Sequence, residues 1–191
     1  HELNKVDILF WRNSDINFDT LDSLIVSLEK KTSSEFLKRI HDCEDEKVLK
    51  FLIKNNNDLK TKSSKDYIKT LWECCQIPDF SKKAYGNHIE VVKKVFEFLT
   101  SKSGKVTNDY MKKQLEHLDK YNGNIDTLTN RISNVRTWSY VANKKNWTNN
   151  SDYWIERTKY IEDKLSDKLH EELTKSFIDK RISILSRSLK Q

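Results

Sequence analysis

Apolar residues recur at spacings of three and four along most of the chain, which places them on one face of an α-helix. Polar residues fill the positions between them. The pattern predicts an all-α fold, an irregular multi-helix bundle of about eight or nine helices. Five predicted helices cover residues 34–42, 44–54, 65–76, 125–145 and 151 to about 189. Three more follow Asp19, Asn87 and Thr107 and include Leu28, Leu99 and Leu118 respectively.

Short polar residues and glycines predict where several helices begin and end. Asp19, Asn87 and Thr107 each precede an apolar run, where a side-chain oxygen can accept a hydrogen bond from a backbone N–H of the first turn. Gly104 and Gly123 follow such runs and predict helix ends.

Two stretches lack helical spacing. Residues 1–16 are predicted to be extended or irregular, with Leu9, Phe10 and Trp11 anchoring the segment onto a core. The polar residues 55–64 predict a loop.

The apolar residues of the last predicted helix do not stay on one side of it. A steady step of four residues drifts slowly round a helix, so this helix should bend or change the neighbour on which it packs. The series consists of Ile161, Leu165, Leu169, Leu173 and Phe177, followed by Ile178, Ile182 and Leu185.

Composition agrees with a helical, folded chain. Three glycines and one proline among 191 residues are too few for the turns of an all-β or doubly wound α/β protein. The 8 Phe, 5 Trp and 7 Tyr provide large side chains to bury, which disordered chains lack. No stretch has the character of a domain linker, so residues 1–191 are predicted to form a single helical domain.

Two further features bear on where the protein works. No apolar run approaches the roughly 18–20 residues that span a membrane, so no membrane partner and a cytoplasmic location are expected. The cysteines Cys43, Cys74 and Cys75 are odd in number and do not form a metal-binding or redox motif. They are predicted to be reduced and buried.

The sequence offers no catalytic constellation. Gly86, Gly104 and Gly123 are isolated, so no glycine-rich loop is present to hold phosphates. His170 and Glu171 begin a zinc-protease pattern, but Thr174 stands where the second histidine ligand would be. The chain itself is therefore predicted not to be an enzyme, and no cofactor or metal is expected in it.

Charge and aromatic residues favour an anionic partner. The net charge is +6, and residues 77–191 hold 22 basic against 15 acidic side chains. Cations and aromatic rings interleave between Arg131 and Lys159, as they do where proteins bind single-stranded nucleic acid. The alternative is that the tryptophans are core anchors and the cations a solvated surface. The candidate contacts are Arg131, Arg136, Trp138, Tyr140, Lys144, Lys145, Arg157 and Lys159, with Lys180 and Arg181 as a second, weaker set.

Several stretches together resemble a known family. They are similar to the helical C-terminal region of bacterial, chiefly alphaproteobacterial, relatives of the mitochondrial degradosome RNA helicase. The stretches are LWECCQIPDF at 71–80, IDTLTNRISNVRTWSYVAN at 125–143 and WIERTKYIEDKLSDKLHEELTKSFIDKR at 154–181, supported by FWRN at 10–13 and LDSLIVSLE at 21–29.

The resemblance implies an accessory domain of a larger, bacterial DExH-type superfamily 2 helicase. ATP and Mg²⁺ would bind two upstream RecA-like domains, on which this region packs while it helps to guide single-stranded RNA or DNA. The alternative is a helical protein–protein interaction module that docks the parent protein to a partner such as an exoribonuclease.

Overall fold

A computed structural model describes residues 9–41, 43–56, 59, 64–82 and 85–188. The all-α class is confirmed, although the described residues hold seven helices, fewer than predicted, and one small parallel sheet. The helices are α1 (Leu21–Glu29), α2 (Glu44–Asn55), α3 (Lys65–Cys75), α4 (Tyr85–Thr100), α5 (Asn108–Leu118), α6 (Ile125–Asn143) and α7 (Ser151–Ser188). The strands are β1 (Leu9–Trp11) and β2 (Leu37–Arg39).

The predicted helix over 34–42 is wrong, because part of this segment forms β2 beside β1. The backbone N–H of Leu9 donates to the carbonyl of Phe36, and that of Ile40 donates to the carbonyl of Trp11, both at 2.9 Å. Nine residues form only a marginal helix by themselves, and pairing with a distant strand satisfies the backbone instead.

The predicted anchoring of the N-terminal segment is wrong at two of its three residues. Leu9 and Phe10 are exposed, whereas Trp11 is half-buried. The segment is held by strand pairing and by the side chain of Arg12 rather than by these two apolar residues. Residues 1–8 of the predicted extended stretch and most of the predicted loop at 55–64 lie outside the described residues.

One of the three predicted N-cap residues is confirmed. Thr107 Oγ1 accepts a hydrogen bond from the N–H of Tyr110 and caps α5 as predicted. The cap of α1 is Thr20 rather than Asp19, with Thr20 Oγ1 accepting from the N–H of Ser23. Because α4 begins at Tyr85, Asn87 lies within its first turn and is not the cap.

The chain divides by its contacts into two compact units. Unit 1 comprises the described residues up to Ile77 together with Val91–Phe96, and unit 2 comprises Pro78–Glu90 and the described residues from Glu97 onward. The single domain predicted from the sequence stays a prediction. The buried apolar side chains of unit 1 include Leu24, Leu28, Val48, Leu49, Leu52, Ile68, Leu71, Trp72, Val92 and Val95.

A partly buried ionic cluster joins the residue that follows β1 to β2 and α2 within unit 1. Arg12 donates two hydrogen bonds to the carboxylate of Asp45, at 2.8 and 2.9 Å. Arg39 donates to Oε2 of Glu46 at 2.9 Å, and its Nε donates to the carbonyl of Leu28 at 3.2 Å. The guanidinium of Arg12 also lies 5.2 Å from the ring centre of Trp72.

The predicted burial of the cysteines is confirmed for two of the three. Cys74 and Cys75 are buried and Cys43 is half-buried. Burial raises the pKa of the Cys75 thiol well above its usual value and also raises the pKa of Cys43. Both shifts reduce the thiolate fraction, which is the reactive form.

The native protein should therefore react slowly with a thiol reagent. With an aromatic disulfide reagent near pH 8, we expect at most one thiol to react before unfolding and all three to react in denaturant. Cys43→Ser should remove whatever reaction the native protein shows. Rapid modification of two thiols in the folded protein would contradict the burial of Cys74 and Cys75.

Unit 2 is built on the antiparallel hairpin of α6 and α7, against which α5 packs. Its buried side chains include Leu128, Val135 and Val141 of α6 and Ile161 and Leu165 of α7. Helix α6 ends at Asn143, two residues earlier than predicted, and a turn at 144–150 reverses the chain. None of the described helices has the length and apolar character to cross a membrane.

Candidate nucleic-acid interface

Three tryptophans of the predicted binding stretch lie in the core of unit 2. Trp138 is 3% exposed and Trp154 is 4% exposed, and Trp147 is buried as well. Trp138 packs edge-on against Tyr110, with ring centres 5.8 Å apart. The indole Nε1 of Trp154 donates to Oδ1 of Asn108 at 2.9 Å. Trp138 therefore has no accessible face for a base, and its place among the candidate contacts is wrong for this fold.

Two tyrosines in the first part of α7 reach solvent and lie on one side of this helix together with two cations. We call Tyr153, Arg157, Tyr160 and Lys164 the α7 stripe. Tyr153 is 56% exposed and Tyr160 is 50% exposed. These four residues repeat at steps of four, three and four, so they share one side of the helix over about 16 Å.

The position of the α7 stripe follows from the buried side of the same helix. The buried residues Trp154, Thr158, Ile161 and Leu165 repeat at the same steps, each one residue later. A shift of one residue turns the helix by about 100°. The stripe therefore lies on the flank of α7 that is adjacent to the core face.

Tyr160 is the centre of the α7 stripe. The guanidinium carbon of Arg157 lies 5.5 Å from the ring centre of Tyr160, and Nζ of Lys164 lies 5.7 Å from it. Both distances are within the range of a cation–π contact. A half-exposed ring with a cation on either side along the helix can offer one partner both a stacking surface and positive charge.

Arg157 is held in place by the segment that follows α5. Its NH2 group forms an ion pair with the carboxylate of Asp119, and the hydroxyl of Tyr121 donates to the same carboxylate. Desolvation and the hydrogen bond to Asp119 raise the pKa of Tyr121, so this hydroxyl remains a donor. The arrangement fixes the guanidinium beside Tyr160, although Asp119 offsets part of its charge.

A second group of candidate residues lies at the end of α6. Nζ of Lys144 is 5.1 Å from the ring centre of Tyr140 and 5.7 Å from that of Trp147. Lys145 is exposed, and within the described residues its ammonium group has no ion-pair partner. Of this group, the half-buried Tyr140 and the two lysines can reach a ligand.

The arginines of α6 are occupied by structural contacts. NH1 of Arg131 donates to the carbonyl of Lys120 at 2.7 Å and to that of Asn122. Nε of Arg136 donates to the carboxylate of Glu162 at 2.7 Å. Arg131 therefore orders the segment that carries Asp119, whereas Arg136 ties α6 to α7.

The remaining candidates lie on α7 but not together. Lys159 is exposed and makes no ion pair among the described residues. Lys180 and Arg181 are exposed as well, but they lie about 30 Å farther along the helix axis than Tyr160. The structure thus brings Arg157 and Lys159 near Tyr153, Tyr160 and Lys164, and it does not bring Lys180 and Arg181 to that group.

No family model matches the chain, and no curated protein or solved structure matches it either.

Proposed function

We propose that this chain is a nucleic-acid-binding accessory domain of a larger ATP-dependent helicase and guides a single strand along α7. The observation that carries the nucleic-acid part is the α7 stripe, in which exposed tyrosines alternate with cations. The helicase part rests on the resemblance of the stretches at 71–80, 125–143 and 154–181. The cytoplasm of a bacterium is the proposed location.

Single strands suit the α7 stripe better than duplexes do. Bases of a single strand are available for stacking, and a stacked base contributes about 1–3 kcal/mol to binding. Tyr153 and Tyr160 lie about 10 Å apart along the helix axis, so they offer two separate stacking positions. A base on Tyr160 would displace the flexible Lys164 side chain toward a neighbouring phosphate.

Cations of the α7 stripe, together with Lys159 of α7 and Lys145 of the turn before α7, would hold the phosphates. Lys145, Lys159 and Lys164 are exposed, and Arg157 is about one-third exposed. About three phosphate contacts give a slope near −2 in a plot of log affinity against log salt, so raising salt from 50 to 200 mM should weaken binding about twentyfold.

ATP and Mg²⁺ are proposed for the upstream RecA-like domains and not for this chain. Of its glycines, Gly104 lies at φ +62° in the turn before α5, and Gly123 lies at φ +131° before α6. Each is a single glycine at a helix boundary, so neither begins a loop that could hold phosphates. The accessory role therefore needs no nucleotide site in this chain.

Binding to single-stranded RNA tests the proposal. Using fluorescence anisotropy with a labelled 20-nucleotide oligouridylate in 50 mM salt, we expect measurable affinity that falls with salt as above. Tyr160→Ala should weaken binding about fivefold or more, because a stacking surface is lost. Tyr160→Phe keeps the ring and should bind nearly as well as the native chain.

Two controls make this result specific. Phe80→Ala removes an exposed ring that lies outside α7 and should leave the affinity unchanged. Lys164→Glu, within the α7 stripe, should weaken binding more than Lys113→Glu, which changes the net charge equally on the exposed side of α5. Equal effects of the two charge reversals, or full affinity for Tyr160→Ala, would remove the α7 stripe as the binding surface.

A protein–protein interaction module remains the second candidate function. The observation that favours it is an exposed apolar face on the last part of α7, which includes Phe177 and Leu185. Charge reversal at Lys144, Lys145 and Arg157 separates the two functions, since it should reduce RNA binding and leave a partner bound at this apolar face.

A further inference from the structure

The last sixteen described residues of α7 form an amphipathic segment with an exposed apolar face. Phe177 is 60% exposed and Ile184 is 65% exposed. Around an α-helix, the apolar residues between 173 and 185 cover about half of the circumference. This face, which we call the 173–185 face, consists of Leu173, Phe177, Ile178, Ile182, Ile184 and Leu185.

The polar side of the same segment is the one that borders the rest of unit 2. An open groove separates it from the start of α6, at Asn124, Ile125 and Asp126. The α7 residues on this groove are Glu172, Lys175, Ser176, Asp179, Lys180 and Ser183. The 173–185 face therefore points away from α6, and the described residues of unit 2 do not provide the new packing neighbour that the sequence predicted.

A positive charge lies at the centre of the 173–185 face. By helical geometry Arg181 falls between Phe177 and Leu185, and its guanidinium carbon is 5.5 Å from the ring centre of Phe177. Residues 173–188 contain four basic side chains, Lys175, Lys180, Arg181 and Arg187, against the single acid Asp179. Asp179 lies on the groove side, so it does not offset the charge of Arg181.

We propose that the 173–185 face docks into an apolar groove of a separate protein whose carboxylates meet Arg181. Burying a guanidinium within an apolar contact is costly unless a carboxylate accepts its hydrogen bonds. Amphipathic helices bind apolar grooves through anchors at helical spacing, and aromatic residues and arginines near the centre of an interface often carry much of its binding energy. The partner is thus defined by two properties, an apolar groove and negative charge within it.

Arg181 also makes two other binding partners of the 173–185 face unfavourable. A second copy of this helix would bring two apolar faces together with Arg181 of each copy, and neither face carries an acid. A lipid surface would place the centre of the 173–185 face deepest among the acyl chains, where a guanidinium is least stable. In both cases removing the charge would strengthen binding, whereas for an acidic groove it would weaken binding.

The opposite expected effects on affinity of removing the charge of Arg181 provide the test. Calcium-loaded calmodulin is a suitable probe, because it presents apolar grooves rich in carboxylates. By titration calorimetry with the full chain, we expect a dissociation constant of about 10 μM or lower in calcium and no binding in chelator. Arg181→Leu should weaken the complex about tenfold, the equivalent of one lost charge-assisted hydrogen bond.

Arg187→Leu is the matched control, since it removes the same charge from the polar side of the same helix. It should change the affinity less than threefold, and Phe177→Ser should abolish binding. No binding to calmodulin, or equal losses for the two arginine variants, would overturn the proposal. Sedimentation or anionic-vesicle binding that Arg181→Leu strengthens would also overturn it, in favour of a second copy or a lipid surface.

This inference is independent of RNA binding. The α7 stripe ends at Lys164 and the 173–185 face begins nine residues later, so variants of one surface leave the other intact. Loss of oligouridylate binding with calmodulin binding retained would reject the nucleic-acid proposal alone, and the reverse result would reject the docking proposal alone.

Discussion

Trp154→Ala should lower the free energy of unfolding by about 3–5 kcal/mol, the usual cost of truncating a large aromatic residue in a core. Trp154 is 4% exposed, and its indole N–H donates to Asn108 at 2.9 Å. Truncation would leave a cavity beside the α6–α7 hairpin and would also leave the side-chain carbonyl of Asn108 without this donor. Urea unfolding followed by circular dichroism measures the loss.

Tyr153→Ala is the matched control for this prediction. It changes the neighbouring aromatic residue of the same helix turn, but Tyr153 is 56% exposed. We expect a loss of about 1 kcal/mol in stability, because the edge-to-face contact of its ring with Trp154 is lost but little other buried surface is removed. The proposed role of the α7 stripe predicts the reverse order for oligouridylate binding, with a larger loss for Tyr153→Ala than for Trp154→Ala. A stability loss for Tyr153→Ala as large as that for Trp154→Ala would contradict the division into core and surface rings.

The long helices could be predicted from the sequence because their apolar residues repeat over several turns. Helices α6 and α7 were predicted within two residues at their described ends, since their apolar residues repeat along helices of 19 and 38 residues. The strand at Leu37–Arg39 could not be predicted in this way. Its backbone pairs with a segment almost thirty residues away, and no local pattern carries that information.

The sequence points to the α7 stripe only in part. The stretch from Arg131 to Lys159 contains cations and aromatic residues, but spacing alone does not say which ring faces the core. Trp138 and Trp154 complete apolar helix faces, so their burial could have been inferred from periodicity. Lys164 was missed because it lies beyond that stretch, although its spacing of four from Tyr160 indicates a shared side of α7. The engagement of Arg131 with backbone carbonyls depends on a tertiary fold that periodicity does not reveal.

The second large effect is expected at the ionic cluster of unit 1, where Arg39→Met should cost about 3–5 kcal/mol in stability. Glu46 is almost fully buried, and Arg39 is the donor to its Oε2 at 2.9 Å. Its other oxygen, Oε1, lies 3.6 Å from Arg12 and has no hydrogen-bond partner among the described residues. Removing Arg39 would therefore leave a buried carboxylate with Arg12 as its nearest cation in that cluster, and it would also remove the donor to the carbonyl of Leu28.

Lys50→Met provides the control, because it breaks an exposed ion pair of the same length that also has one partner on α2. Nζ of Lys50 lies 2.9 Å from the carboxylate of Glu29, and both side chains are about half exposed. Solvent screens this pair, so its loss should cost less than about 1 kcal/mol. The double variant Arg39→Met, Glu46→Leu should be more stable than Arg39→Met alone, since no unpaired charge remains buried. Equal losses in the free energy of unfolding for Arg39→Met and Lys50→Met would show that burial does not distinguish the two ion pairs. A higher stability of the double variant would show that the loss in Arg39→Met arises from the unpaired carboxylate of Glu46.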